Sequence, residues 1–302
     1  MSSKHVVVTG GYGLIGSAIA DIFNSAGCKV TIINRNINNE SKNKYNFVKA
    51  DISNEDSVNN VVQEIKTCDV LVHAAASLYQ DMSAITSNIH GSWNIFNAAL
   101  KIKCRNVIYI SSIPVIGKPE TIPIDENHAV SPKTLYHLTK YTGEQILNLP
   151  DFHELGSIIL RIPAPLGPKI SPKKIVPVVI DACLQNNPVK LIGKGGRIQN
   201  YINVRDIAQS VLLATEYLEK QVCKGEMFLI AGHSISNIEL AKTCISLLGS
   251  SSEIIFDEKL DPEEEYRWII NGEKAKEMLG FQPKISIEES IFEIAQELKG
   301  RV

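Results

Sequence analysis

Three short stretches of this chain carry residue types that could handle a proton or a phosphate. Residues 109 to 117 read YISSIPVIG, an apolar run that stops on two hydroxyls, Ser111 and Ser112. In SPKTLYHLTKYTGEQIL, Tyr136 and Lys140 lie four apart, so on a helix they share one face a turn from each other. Near the start, TGGYGLIG satisfies GxGxxG through Gly11, Gly13 and Gly16, and GxxGxxG through Gly10, Gly13 and Gly16. Moving hydride at a carbinol carbon requires a proton to leave or join the oxygen, so a phenol beside an ammonium suits redox chemistry on an alcohol or ketone. Each signal alone has a plainer reading: YxxxK fits an amphipathic helix with a half-buried tyrosine and a solvated lysine, and the glycines fit a flexible turn.

The elements that must position these residues follow from the apolar pattern. HVVVT (5–9), KVTIIN (29–34), NFVKA (46–50), DVLVH (69–73), NVIYIS (106–111) and SIILR (157–161) are short β-branched runs separated by helix-like sequence. Fully apolar strands alternating with helices predict a doubly wound α/β domain, a parallel sheet covered on both faces. The glycine loop then follows the first strand and opens a helix to Ala26, with Gly27 as its stop. The Tyr-Lys helix is expected to start at Ser131, with Pro132 in its first turn. After Arg161 the segment IPAPLGPKISPKKIVP carries five prolines, which suit a chain leaving the first domain. The expected division is residues 1–165 for a Rossmann-type dinucleotide domain, with segments near 200–232 returning to it, and 166–302 for a smaller α/β substrate lobe. LDPEEEYR (260–267) reads as a solvated loop.

Composition excludes other classes. The 302 residues are 44% apolar and 21% charged, ordinary for a globular protein. Lys plus Arg number 31 against 33 Asp plus Glu with no basic stripe, so no nucleic-acid partner is expected. No apolar stretch reaches the roughly 18 residues of a membrane span, and a cytoplasmic protein is expected. The cysteines, Cys28, Cys68, Cys104, Cys183, Cys223 and Cys244, form no CxxC, and the histidines no HExxH, so no metal is expected.

The glycine turn between strand and helix lets backbone N–H groups approach a pyrophosphate at a helix N-terminus. An NAD-binding fold of this kind places a carboxylate about 20 residues on, at the end of the second strand. Here stand Asn34 and Arg35. A guanidinium can bind a 2′-phosphate that a carboxylate would repel, which favours NADP over NAD, although Arg35 stacked on adenine or pointing to solvent fits as well.

Together the three stretches place chemistry at the carboxyl edge of one sheet, and the sequence resembles the extended branch of the short-chain dehydrogenase/reductase superfamily, the sugar-nucleotide epimerases, dehydratases and reductases. TGGYGLIG, ADIS, VHAAA, NIHGSWNIFNAA, SSIPVIG, YHLTK, LRIPAPLGP, GGRIQNYINVRDIA and EKAKEMLGFQPKISIEESI carry the likeness over nearly the whole chain. The resemblance implies Ser112 as catalytic hydroxyl, Tyr136 as acid/base and Lys140 as its partner. Gly10, Gly13, Leu14, Ile15 and Gly16 would surround the cofactor's pyrophosphate, with Asn34, Arg35, Asp51 and Ile52 at its adenosine end. Ala74 and Ala75 would line the cofactor cleft, Asn88 would sit behind the neighbouring strand, and Pro163 would meet the nicotinamide. Bringing a tyrosine from pKa 10 to about 7 corresponds to roughly 4 kcal/mol favouring phenolate, and the Lys140 ammonium is expected to act in that direction. Relatives pair as homodimers through a bundle that includes the Tyr-Lys helix.

Departures from the family narrow the reaction. Dehydratases of this branch carry acids directly after the catalytic hydroxyl, where this chain has Ile113 and Pro114, so 4,6-dehydration is disfavoured. Ala164 and Gln199 stand where sugar-nucleotide enzymes often have Asn and Arg; Arg197 and Arg267 are the candidates to meet a diphosphate, or are solvated surface arginines. Three readings remain: an NAD(P)-dependent epimerase or oxidoreductase of a nucleotide sugar, an NADPH-dependent reductase of another small carbonyl compound, and a non-catalytic dinucleotide sensor. A sensor needs no Ser112, Tyr136 and Lys140 together.

Overall fold

A computed structural model describes residues 4–36, 44–257 and 259–300. The first half alternates as the apolar runs predict: β1 (His5–Thr9), α1 (Leu14–Ser25), β2 (Lys29–Asn34), β3 (Asn46–Lys49), α2 (Glu55–Glu64), β4 (Val70–His73), α3 (Met82–Ile85), α4 (Gly91–Lys101), β5 (Asn106–Ser112), α5 (Leu135–Leu147) and β6 (Gly156–Ile162). There follow β7 (Ala164–Leu166), α6 (Ile175–Leu184), β8 (Val189–Ile192), β9 (Ile198–Asn203), α7 (Val204–Lys220), β10 (Glu226–Leu229), β11 (His233–Ser236), α8 (Asn237–Leu248), β12 (Ile254–Asp257) and α9 (Ile287–Lys299).

Seven strands form one sheet in the order β10, β6, β5, β4, β1, β2, β3, with every neighbouring pair parallel. The chain runs outward from β1 through β2 to β3, then returns to β4 on the other side of β1. That reversal opens a crevice at the carboxyl ends of β1 and β4, the place where such sheets bind ligands. One face is closed by α1 and α7, whose Ile19, Phe23, Ile207 and Val211 pack with strand residues Val8, Ile32 and Ile108. The opposite face packs Ile95 and Phe96 of α4 and Ile146 and Leu147 of α5 against Val7, Leu71 and Tyr109. A separate core joins α6, α8 and α9 to β8 and β9 through Val179, Leu191, Tyr201, Leu240 and Ile291. Strand β10 lies beside β6 at the edge of the large sheet, while β9 sits between β11 and β7 in a small one.

Two local expectations are corrected. Helix α5 starts at Leu135, with the Thr134 hydroxyl accepting the His137 N–H at 3.2 Å, rather than at Ser131. Ser131 is held elsewhere, since its N–H donates to Val115 O at 3.2 Å and ties this segment to the turn after β5. The acidic run is not simply solvated: the Glu264 carboxylate accepts the backbone N–H groups of Lys194 at 3.0 Å and Gly196 at 2.5 Å. That carboxylate ends the loop between β8 and β9 much as a bound anion would.

Candidate active site

The glycine turn sits at the end of β1 because nothing larger fits. Gly10 has φ +69°, and a Cβ there would lie 2.8 Å from Ala75 Cα; a Cβ on Gly16 would lie 2.3 Å from Gly10 O. Gly13 is the N-cap of α1, with no side-chain cap and no acidic residue in the first turn. The first N–H groups of α1 therefore point at the crevice without a carboxylate in front of them, and the cradle fits a pyrophosphate.

At the end of β4 a chain of buried hydrogen bonds sets the opposite lip. Ser92 Oγ donates to Asn88 O at 2.5 Å, so it accepts from His73 Nε2–H at 3.0 Å; His73 Nδ1 then accepts the Thr9 hydroxyl at 2.7 Å, and Thr9 Oγ1 accepts the Ala75 N–H at 3.1 Å. Burial pushes His73 down to about 3, keeping it neutral as this chain requires. Asn88, in the turn Thr86–His90, clamps Ser77 through its N–H at 2.6 Å and its carbonyl at 2.9 Å, and donates to Thr139 Oγ1 of α5 at 2.9 Å. It fixes the loop and the helix from behind.

A cleft of about 610 Å³ runs from this cradle to the second lobe. Ser112, Tyr136, Lys140 and Pro163 line it, together with Gly10, Gly13, Leu14, Ile15, Gly16 and Ala74. The two hydroxyls ending β5 are not equivalent. Ser111 is buried and donates to Glu144, whereas Ser112 is partly exposed. Lys140 is 3% exposed, with Nζ 4.0 Å from the centre of the Tyr109 ring, and Tyr109 Oη donates to Lys140 O at 3.2 Å. Burial pushes Lys140 down to about 7, against the raising effect of Glu144. Burial alone pushes Tyr136 up to about 12, so in the protein by itself the tyrosine is a firm phenol. The expected lowering by Lys140 does not appear, because desolvation disfavours the charged form of both groups.

Two buried groups of the cleft wall, Tyr201 Oη and Trp268 Nε1, have no hydrogen-bond partner among the described residues. Both residues line the cleft, while these two polar atoms are themselves sealed from it. The cationic lining is Lys140, Lys169 and Lys174, with Lys174 close enough to His137 to help lower its pKa after burial. Neither candidate arginine lines the cleft. Arg197 pairs with Glu263 and lies 4.0 Å from Asp261; Arg267 donates to Glu264 O at 2.8 Å and Tyr266 O at 3.1 Å. At the adenosine end Arg35 is exposed beside Asp51, whose carboxyl is held below its usual range first by the Ser53 hydroxyl and also by the Arg35 charge. The Ile52 carbonyl accepts from Asn94 at 2.9 Å. Sequence reading missed Glu144, Arg161 and His73, though each is a charged or titratable residue inside an apolar pattern. It also missed Lys169 and Lys174, hidden in the proline-rich exit.

The sequence matches the NAD dependent epimerase/dehydratase family over residues 6–231, and the chain belongs to that family, within the extended short-chain dehydrogenase/reductases. Among curated relatives, a putative UDP-glucose 4-epimerase of Methanocaldococcus jannaschii is 29% identical, the alignment covering 97% of this chain and 98% of that one. A dTDP-glucose 4,6-dehydratase of Streptomyces niveus is 25% identical over 96% of this chain and 91% of that protein. Among solved structures, the UDP-N-acetylglucosamine 4-epimerase of Methanobrevibacter ruminantium in complex with UDP-N-acetylmuramic acid superposes with TM-score 0.87 at 25% identity, covering 100% of both chains. The UDP-glucose 4-epimerase of Thermotoga maritima with UDP-glucose reaches 0.87 at 23% identity, covering 98% of this chain and 99% of that one, which shows a shared fold.

Proposed function

We propose that this chain epimerises, or oxidises and reduces, a hydroxyl-bearing carbon of a nucleotide sugar through Ser112, Tyr136 and Lys140. The observation that carries the reading is one cleft holding both the glycine cradle and these three side chains. The nicotinamide group, when bound, supplies hydride acceptance and donation. Ser112 Oγ holds the substrate oxygen, and the Tyr136 hydroxyl gives or takes the proton there. Lys140, one turn away on the same helix face, is the cation whose charge has to offset the desolvation of Tyr136 when the tyrosine acts as base. Lys169 and Lys174 are the cations placed to meet the diphosphate. Ile113 and Pro114 offer no proton donor for loss of water, so epimerisation through a transient ketone is favoured over 4,6-dehydration.

A reductase of a non-sugar carbonyl compound is the second reading, favoured by Gln199, an amide in the cleft wall where a guanidinium would serve a diphosphate. Purified protein interconverting UDP-glucose and its 4-epimer without added nicotinamide supports epimerase; NADPH consumption with a ketone supports reductase. Tyr136→Phe should lower kcat about a hundredfold or more with the fold intact, and unchanged turnover would remove the catalytic assignment.

For the adenosine end we propose NADP over NAD, on Arg35 after β2 and the absence of a carboxylate at Asn34. Asp51 draws on the same guanidinium, so discrimination is modest. Arg35→Ala should raise the Kd for NADPH about tenfold more than that for NADH; equal changes in direct titrations would refute the preference.

A further inference from the structure

Beneath the cleft lies a buried charge that the proposed reaction does not touch. Glu144 sits one turn beyond Lys140 and two beyond Tyr136 on α5, continuing the same face under the site. It is 2% exposed, and its carboxylate is fully engaged: Oε1 accepts the Ser111 hydroxyl and Arg161 Nε at 2.9 Å, while Oε2 accepts Arg161 Nη2 at 2.7 Å. Ser111 and Arg161 are direct neighbours in the β5 and β6 register. One carboxylate therefore ties three elements, and each of them carries a residue of the site. Ser112 follows Ser111, Lys140 and Tyr136 share the helix with Glu144, and Pro163 is two residues beyond Arg161.

A buried ion pair adds little net stability compared with apolar packing. Packing already holds α5 to β5: Tyr109 Oη bonds Lys140 O, and Gly143 lets the Tyr109 ring approach the helix. What the planar two-pronged contact adds is a fixed rotation and a negative charge close to Lys140. The titratable and charged groups around Lys140 are His73 on β4, Tyr109 on β5, Tyr136 and Glu144 on α5, and Arg161 on β6 behind Glu144. Among these, Glu144 is the single carboxylate.

We propose that Glu144 is a positioning residue: its bonds to Ser111 and Arg161 hold β5, β6 and α5 so that Ser112 and Pro163 face Lys140, and its charge holds Lys140 toward the ammonium form. The inference rests on the Ser112, Tyr136 and Lys140 reading above. The direction of the Lys140 balance agrees, since Glu144 opposes the lowering that burial imposes.

Cofactor-loaded wild type, Glu144→Gln, Glu144→Asp and Ser111→Ala are compared in UDP-glucose turnover between about pH 6 and about pH 9. Glu144→Gln should lower kcat about tenfold or more with KM changed less than about threefold, and should move the alkaline limb of kcat to lower pH. Glu144→Asp should recover part of kcat, and Ser111→Ala should lose less than Glu144→Gln without moving the limb. A Glu144→Gln protein with wild-type melting, kcat and pH limb overturns the proposal, as does a kcat loss that follows only the loss of folded protein. If wild type turns over no nucleotide sugar, the functional reading falls, and melting decides this one. At about pH 6, Glu144→Gln should lower Tm by several degrees, and by less in the Lys140→Met background; equal losses in both backgrounds overturn it.

Discussion

At the scale of single residues, the site is built from groups held against their charged forms. Lys140 has its pKa pushed from 10.5 down to about 7 by burial, a difference of roughly 5 kcal/mol at most. The sign follows from proton counting: between about pH 7 and about pH 10.5 the unfolded chain holds a proton that the folded one has released, so stability from this group rises with pH across that window. Below it the full penalty applies. Lys140→Met should therefore melt several degrees above wild type near pH 6, with the advantage shrinking as pH rises toward 10; calorimetry at both pH values checks it, and an advantage independent of pH would remove the burial account. The lysine that the proposed chemistry needs is thus one that folding alone disfavours. Ser111 and Ser112 make the complementary point. They are adjacent, chemically identical and both at the cleft wall, yet Ser111 is buried and consumed by Glu144 while Ser112 is partly exposed, and only the packing of α5 on β5 separates their roles.

Among the elements, strands were legible and helix starts were less so. The apolar runs fall on β1 to β6 within a residue or two because fully buried parallel strands tolerate few polar positions. Helix α5 begins three residues later than its Ser-Pro pair suggests, because Ser131 is bonded to the turn after β5, a contact no local pattern encodes. The same helix carries a feature its cleft face does not explain. Leu138, Thr142 and Gln145 form a stripe facing away from the core, and Trp93, Asn97 and Lys101 form another on neighbouring α4; Leu138 is 47% and Trp93 43% exposed. We propose that a second copy of the chain covers these stripes, pairing α4 and α5 across a two-fold axis. Light scattering should give twice the chain mass, and the double substitution Trp93→Glu with Leu138→Glu should give one; a wild-type monomer at about micromolar concentration would rule the pairing out.

For the molecule as a whole, the cleft exists because the proline-rich exit after β6 sends the chain to a second core and brings Tyr201 and Trp268 back over the crevice. The sequence by itself determined the glycine turn between β1 and α1 and brought Ser112, Tyr136 and Lys140 forward as candidates. Those signals are local: glycines that only a tight turn requires, a helical four-residue spacing, hydroxyls at the end of an apolar run. It also determined the doubly wound sheet, since alternation of buried strands with helices leaves few other solutions. Only the tertiary structure decided what surrounds the chemistry. Arg197 and Arg267, read as candidates for a diphosphate, turn to the acidic segment 261–265, while Lys169 and Lys174 line the cleft instead. Glu144 and Arg161, 17 residues apart in sequence, become one buried contact under the site because α5 packs on β5 and β6 lies beside β5. Charge pairing of this kind is long-range and depends on which elements pack together, so no spacing along the chain announces it.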